Sequence, residues 1–237
     1  MACFNKIKHN GFKWELISDA KLCGIYDMPE LKPVLDAHFT NMIPFNSMSK
    51  HKVFKDSCVH FYLDDYRIER FWRGPENYIR AIKRFDVAIS PDFSMLLDMP
   101  LAQQMWNCWR NKVLAYYMQK CGIITIPNVG WGSTESLDWA FDGIPEHSIL
   151  AVTSQGCMKK EDYLCKQTFL NGLHELMRRK SPIKLLVYGT FPEEWKIRFP
   201  IPIIVIEPFS ASFRTKRRIA KNIPATARID FTIPITF

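Results

Sequence analysis

The stretch FDVAISPDFSMLLDMP, residues 85–100, decides how the chain is read. Val87–Ser90 make a short apolar and small-residue run of the kind a fully buried strand shows. Pro91 ends it, because proline brings no N–H to a ladder. Asp92, Ser94 and Asp98 follow, and a long helical pattern opens at Pro100. A buried strand passing through a polar turn into a helix is the building unit of a parallel α/β fold.

The unit recurs along the chain. Residues 41–45, 58–63, 86–90, 123–127, 149–154, 184–188 and 202–206 read as strands, and 21–26 is a further candidate. Several are apolar without alternation, the pattern of strands covered on both faces. The clearest helix is 100–120. Leu101, Met105, Cys108, Trp109, Val113, Tyr116 and Tyr117 recur at helical spacing, while Gln103, Gln104, Asn107, Arg110 and Asn111 fall away from that stripe. Gly122 suits the position just past its end. Further helices are expected over 75–84, 135–142, 160–179 and 192–198. This alternation predicts right-handed crossovers and an α/β fold with parallel strands. A compact (β/α) barrel-like form is expected, with an open doubly wound sheet as the alternative. Residues 1–210 read as a single β/α domain and 211–237 as a basic tail.

Composition narrows the function classes. With 47% hydrophobic residues the chain is globular rather than disordered. It has no apolar run of membrane-span length, and no continuous apolar segment after its basic N-terminus. A cytoplasmic protein that does not engage a membrane is therefore expected. The seven cysteines form no C-x-x-C pair and the six histidines no H-x-x-x-H pair. Spacing thus offers neither a zinc ribbon nor a histidine metal site. The net charge of +8 is concentrated: residues 211–229 carry Arg214, Lys216, Arg217, Arg218, Lys221 and Arg228 and no acid. Such a run neutralises phosphates without reading bases, so Arg214, Lys216, Arg217 and Arg218 are candidate nucleic-acid contacts.

In parallel α/β folds ligands bind beyond the carboxyl ends of the strands. The residues there are Asn46; Asp64 and Asp65; Asp92 and Ser94; Asn128 and Trp131; Thr153, Ser154 and Gln155; Tyr188; and Glu207. Converging at one rim, they would make an acidic and amide-rich pocket with a tryptophan wall. Asp98, just before the long helix, reads as its cap. Asp92, Asp64 and Asp65 are the candidate catalytic acids. Two or three inward carboxylates would bind Mg²⁺ through oxygen or divide acid and base roles between them; Asp92 with Glu207 would be a glycosidase-like pairing. Gly130, Gly132, Ser133 and Thr134 precede a helix and would cradle a phosphate or cap that helix, without the G-K-[ST] of a Walker loop. There is no G-x-S-x-G elbow. Cys157 follows a strand as a possible nucleophile, with no histidine placed beside it.

Five blocks occur in order between residues 62 and 157: S-P-D-F-S, D-M-P, N-x-x-R-N, I-P-N-x-x-W and F-D-G-I-P. On these the chain resembles an uncharacterised bacterial and phage family described as a domain of unknown function, over about residues 55–190. The resemblance implies a phage or mobile-element context in the cytoplasm. It singles out Asp92, Ser94, Asp98, Asn107, Arg110, Asn128, Trp131 and Gly143. On the long helix, Asn107, Arg110 and Asn111 would form a polar edge, with Arg110 paired to Asp98 or Asp92 in a catalytic or a structural role. Two functions are therefore expected. The first is a hydrolase or phosphate-handling enzyme acting through Asp92, Asp64, Asp65, Asn128 and Arg110, with Ser94, Trp131, Asn107 and Glu207 on the ligand. The second is a non-catalytic module that binds nucleic acid or a host protein through its tail.

Overall fold

A computed structural model describes residues 12–52, 54–158 and 161–208. The basic residues Arg214, Lys216, Arg217 and Arg218 lie outside the described residues. The fold is mixed α/β with parallel sheets. One sheet has the order β3 (Asn41–Pro44), β4 (Ser57–His60), β5 (Val87–Ile89), β6 (Thr125–Ile126), all parallel. A second has the order β7 (Ile149–Thr153), β8 (Lys184–Tyr188), β9 (Ile203–Ile206), also parallel. A single parallel bridge between Asn128 and Ala151 joins them, so strand order follows chain order throughout. The 21–26 candidate is a separate antiparallel ribbon of β1 (Leu22–Cys23) and β2 (Met28–Pro29).

Alternation along each strand sorts side chains into two environments. Met42, Cys58, Val87, Ile89, Ile126, Ile149, Ala151, Leu186, Tyr188, Ile204 and Ile206 meet in one cluster. Their neighbours turn the other way onto helices. Val59 and Ala88 pack in an aromatic core with Phe61, Phe71 and Val113, whereas Leu150, Val152, Leu185 and Val187 pack with Phe169, Leu173 and Leu176. Those helices are α1 (Asp65–Arg73), α2 (Glu76–Ile82), α3 (Leu101–Lys120), α4 (Tyr163–Lys180) and α5 (Glu193–Lys196). Helix α1 has no counterpart among the expected elements, although Ile68, Phe71 and Trp72 occupy its buried face at helical spacing. Residues 134–138 form a 3₁₀ turn rather than the expected helix.

Helix α3 departs most from its expected amphipathic form. Gln104, Asn107, Arg110, Asn111 and Lys112 are all buried, while Leu101 is exposed. The helix lies between the two core clusters, with Val113, Leu114 and Met118 in one and Ala115 in the other. Its polar edge therefore faces protein, and each buried polar group there has to find a partner. Gly122 does follow its end in the left-handed region (φ 81°), and the Ile123 N–H reaches back to Met118 O at 3.1 Å. The expected cap does not form: Pro100 holds the N-cap with no side-chain bond, and Asp98 is exposed. Among the described residues no helix is long and apolar enough to cross a membrane.

Candidate functional site

The S-P-D-F-S block leaves β5 and is held at Ser90, Phe93 and Ser94. Ser90 Oγ accepts from the Asn128 N–H at 2.8 Å. The Asn111 amide binds Phe93 at both ends, accepting from its N–H at 2.8 Å and donating to its carbonyl at 3.1 Å. The Ser94 N–H and hydroxyl both donate to Asp65 Oδ1, at 3.0 and 2.9 Å. Asn107 Nδ2 donates to the Ser94 carbonyl at 2.6 Å. Arg110 lies 3.4 Å over the Phe93 ring, donates to Asn107 Oδ1 at 3.0 Å and pairs with Glu69 at 2.8 Å. The N-x-x-R-N block is thus a cradle for the loop. Arg110 pairs with Glu69, not with Asp98 or Asp92, because α1 brings that acid beside α3.

What the cradle presents is Asp92. Its carboxylate opens on a cleft of about 1130 Å³ at the carboxyl ends of the strands. Oδ1 accepts from Asn128 Nδ2 at 2.8 Å. Asn128 is itself oriented, since its Oδ1 accepts from the Tyr62 hydroxyl at 2.9 Å. Burial, with a smaller contribution from Asp65, pushes the Asp92 carboxyl up to about 7 against the pull of the Asn128 bond. Burial also keeps the Tyr62 phenol protonated. Tyr62 stacks on Tyr188 at 4.4 Å, and His60 lies against both rings. The His60 Nδ1 accepts from the Tyr62 N–H at 3.3 Å, and burial takes its pKa down to about 3. The ring is therefore neutral and carries its proton on Nε2. Removing the hydroxyl with Tyr62→Phe should leave Asn128 Oδ1 without its donor. We expect a loss of about 1–3 kcal/mol in a denaturant melt and a shift of the Asn128 side-chain amide signals in the NMR spectrum.

The other expected site residues divide. Asp64, Asp98, Ser94 and Trp131 line the cleft together with Asp92, as do Asn46, Thr153, Gln155 and Tyr188. Asn107, Arg110 and Asp65 stand behind the loop, and Glu207 is exposed at the end of β9; none of the four belongs to the cleft wall. The carboxylates are dispersed: Asp64 pairs with Arg67 at 3.0 Å, and Asp65 is turned to Ser94. Among the described residues no three His, Cys, Asp or Glu side chains form a metal-holding group. Two N–H groups of the 130–134 loop are already engaged within the protein. Its Gly132 N–H donates to Ser136 Oγ and its Ser133 N–H to Gln104 Oε1. Cys157 lines the cleft, but burial, with Cys165 and the acids Asp162 and Asp92 nearby, pushes its thiol up to about 11. It is a thiol rather than a nucleophilic thiolate at neutral pH.

Trp131 owes its place to α4. Its indole N–H donates to the Thr168 carbonyl at 3.2 Å, and its ring stacks on Phe169 at 5.5 Å. A Cβ added at Gly172, one turn on, would overlap the indole. Gly172→Ala should therefore displace Trp131 and cost about 1–3 kcal/mol, although alanine is the better helix former. A melting temperature at or above that of the native protein would contradict this packing. Gly143, in F-D-G-I-P, has φ 73° and lies so close to the Pro29 carbonyl that no Cβ fits.

His60 and Tyr62 are absent from the residues expected at the site. Both sit in the apolar run 58–63, where the strand ends at His60. The available signal is period two, with Cys58, His60 and Tyr62 on one face.

The family described as a domain of unknown function, DUF4417, matches residues 20–207. The chain is 35% identical over 171 residues to the Gene 1 protein of Mycobacterium phage D29, covering 69% of this chain and 60% of that protein. It is likewise 35% identical to the Gene 1 protein of Mycobacterium phage L5, covering 69% of this chain and 71% of that protein. It therefore spans less than two thirds of the D29 relative's length. No solved structure matches the chain significantly. With the family model covering most of its length, the chain belongs to DUF4417, and it has relatives in two mycobacterial phages.

Proposed function

We propose that the protein is an intracellular enzyme of general acid–base type, a hydrolase, in which Asp92 moves the proton. The observation that carries this reading is a carboxyl raised to about 7 at the mouth of a large cleft. A group with its pKa near the working pH is the most effective proton-transfer catalyst. Strained or destabilised charge is also found more often at functional sites than elsewhere. Asn128, aimed by Tyr62, positions the carboxylate. The neutral His60 Nε2–H is a donor for an oxygen that gains charge in the reaction. The phage relatives support the intracellular setting.

We further propose that the seven strands β3–β9 close into a barrel, within one β/α domain ending near residue 210. Strand order without the reversal of a doubly wound sheet supports this. So does an apolar cluster that draws on every one of these strands.

The test is a screen of the full-length protein and Asp92→Asn against chromogenic esters, glycosides, amides and phosphodiesters. We expect turnover of one class whose pH profile has a limb near 7, and no such turnover with Asp92→Asn. Equal turnover by both proteins would contradict the assignment.

A further inference from the structure

Directly after the braced Ser94, three apolar residues in succession, Met95, Leu96 and Leu97, form part of the cleft wall. Leu96 is exposed there. Two other elements bring exposed apolar side chains to the rim. Tyr66, in the first turn of α1, meets the cleft-lining Arg67, whose Nε donates to its hydroxyl at 2.8 Å. Tyr163 and Leu164 open α4 between the cleft-lining Asp162 and Cys165. Leu96, Tyr66, Tyr163 and Leu164 are 56–77% exposed. Single apolar residues scattered over a surface need no explanation, but apolar side chains grouped at the mouth of one cleft mark an interaction site.

The charge of the wall limits what covers them. Among the described residues its charged groups are Asp64, Asp92, Asp98 and Asp162 against Arg67, and Arg67 pairs with Asp64 at 3.0 Å. The phosphate of a nucleic acid or of a lipid headgroup would meet acid there, with the wall's one cation already engaged. An ammonium or guanidinium group would be attracted. The wall also holds the uncharged side chains of Asn46, Thr153 and Gln155, whose amide and hydroxyl groups can both donate to and accept from a peptide backbone. The cleft volume of about 1130 Å³ lies above the roughly 1,000 Å³ at the top of the small-molecule range. Apolar groups on three separate elements suit a ligand that runs across the mouth.

Resting on the acid–base reading of Asp92, we infer that the ligand is a polypeptide segment bearing apolar and basic side chains. Its apolar side chains pack on Leu96, Tyr66, Tyr163 and Leu164, its cations face Asp98 and Asp162, and a backbone amide reaches Asp92. On hydrolysis the amide C–N bond breaks and a water oxygen bonds to the carbonyl carbon. Asp92 gives its proton to the leaving nitrogen and regains one from the water.

The experiment uses the full-length protein and a fluorescently labelled ten-residue peptide of two leucines, two lysines and six serines. One analogue has glutamate in place of lysine, and another has serine in place of leucine. Anisotropy reads binding. The leucine–lysine peptide should bind roughly 10-fold tighter than either analogue. Leu96→Ser and Leu164→Ser, both at exposed positions, should keep the native melting temperature and weaken binding roughly 10-fold each, as expected for partial burial of a leucine. Asp98→Lys should lower the affinity for the lysine peptide and raise it for the glutamate analogue, and both changes should shrink at high salt. The inference would be overturned by no binding or equal binding of the three peptides, by unchanged binding in both leucine variants, or by leucine-dependent binding to phosphatidylcholine vesicles with none to the peptide. The expected peptide preferences in a protein whose Asp92 titrates near the ordinary value of 3.8 would instead remove the acid–base reading and leave this one. Turnover of a non-amide substrate, lost in Asp92→Asn, without peptide binding would do the reverse.

Discussion

Replacing Arg110 with alanine will destabilise the protein by about 3–5 kcal/mol, the range for removing one partner of a buried ion pair. The guanidinium serves three neighbours at once: Glu69, Asn107 and the Phe93 ring. Glu69 is 32% exposed and regains some water, which puts the expected value at the lower end. The loss reaches the site because Asn107, no longer held by Arg110, is the group that ties down the Ser94 carbonyl. A urea titration of the variant should show a lower midpoint with an unchanged slope. Arg110→Lys keeps the charge but not the planar fork that meets carboxylate, amide and ring together, and should recover less than half of the loss. A change within 0.5 kcal/mol for Arg110→Ala, the scale of an ordinary surface substitution, would mean that the 92–94 loop is braced by other groups.

Asp92→Asn should give a protein that is more stable at pH 8 and far less active. The folded pKa of about 7 stands above the ordinary value of 3.8. Below about pH 4 the acid is protonated in both states and costs nothing. Between there and pH 7 the unfolded chain releases the proton while the native state keeps it, so stability falls as pH rises. The loss is complete just above pH 7 and amounts to about 4 kcal/mol. Asparagine does not ionise, and its oxygen still accepts from Asn128. The variant should therefore match the native protein near pH 4 and melt higher at pH 8. Loss of a general acid–base group should lower kcat/KM by about 10²–10⁴. A carboxylate kept for structure would behave in the opposite way, with Asp92→Asn less stable than the native protein at pH 8.

The strand ends were legible because buried parallel strands are short apolar runs cut off by proline, glycine or acid, as at Ile89, Thr153 and Tyr188. Asp92 was legible for the same reason: it is the first charged residue after such a run. The polar edge of α3 was not. Asn107, Arg110 and Asn111 fall where a solvated face would fall on a surface helix. Only the tertiary position of α3, between two cores, turns that edge inward onto the 92–94 loop. The partner of Arg110 was hidden because Glu69 belongs to α1, a nine-residue helix with strong charge at both ends. Asp98 misled for a local reason, since an acid just ahead of a helix is a common cap, whereas here Pro100 takes the N-cap position without a side-chain bond. The placement of His60 and Tyr62 depends on a strand that stops at residue 60 rather than 63.

The central claim is that Asp92 holds a proton near neutral pH at the mouth of the cleft, and the most direct measurement is its own titration. The side-chain carboxyl carbon, labelled with ¹³C and assigned by its absence in Asp92→Asn, can be followed by NMR from pH 3 to pH 9. We expect a midpoint near 7, moved in Tyr62→Phe as Asn128 loses its orientation. A midpoint near the ordinary carboxylate value of 3.8 would contradict the account, leaving Asp92 an ionised rim residue with no proton to give.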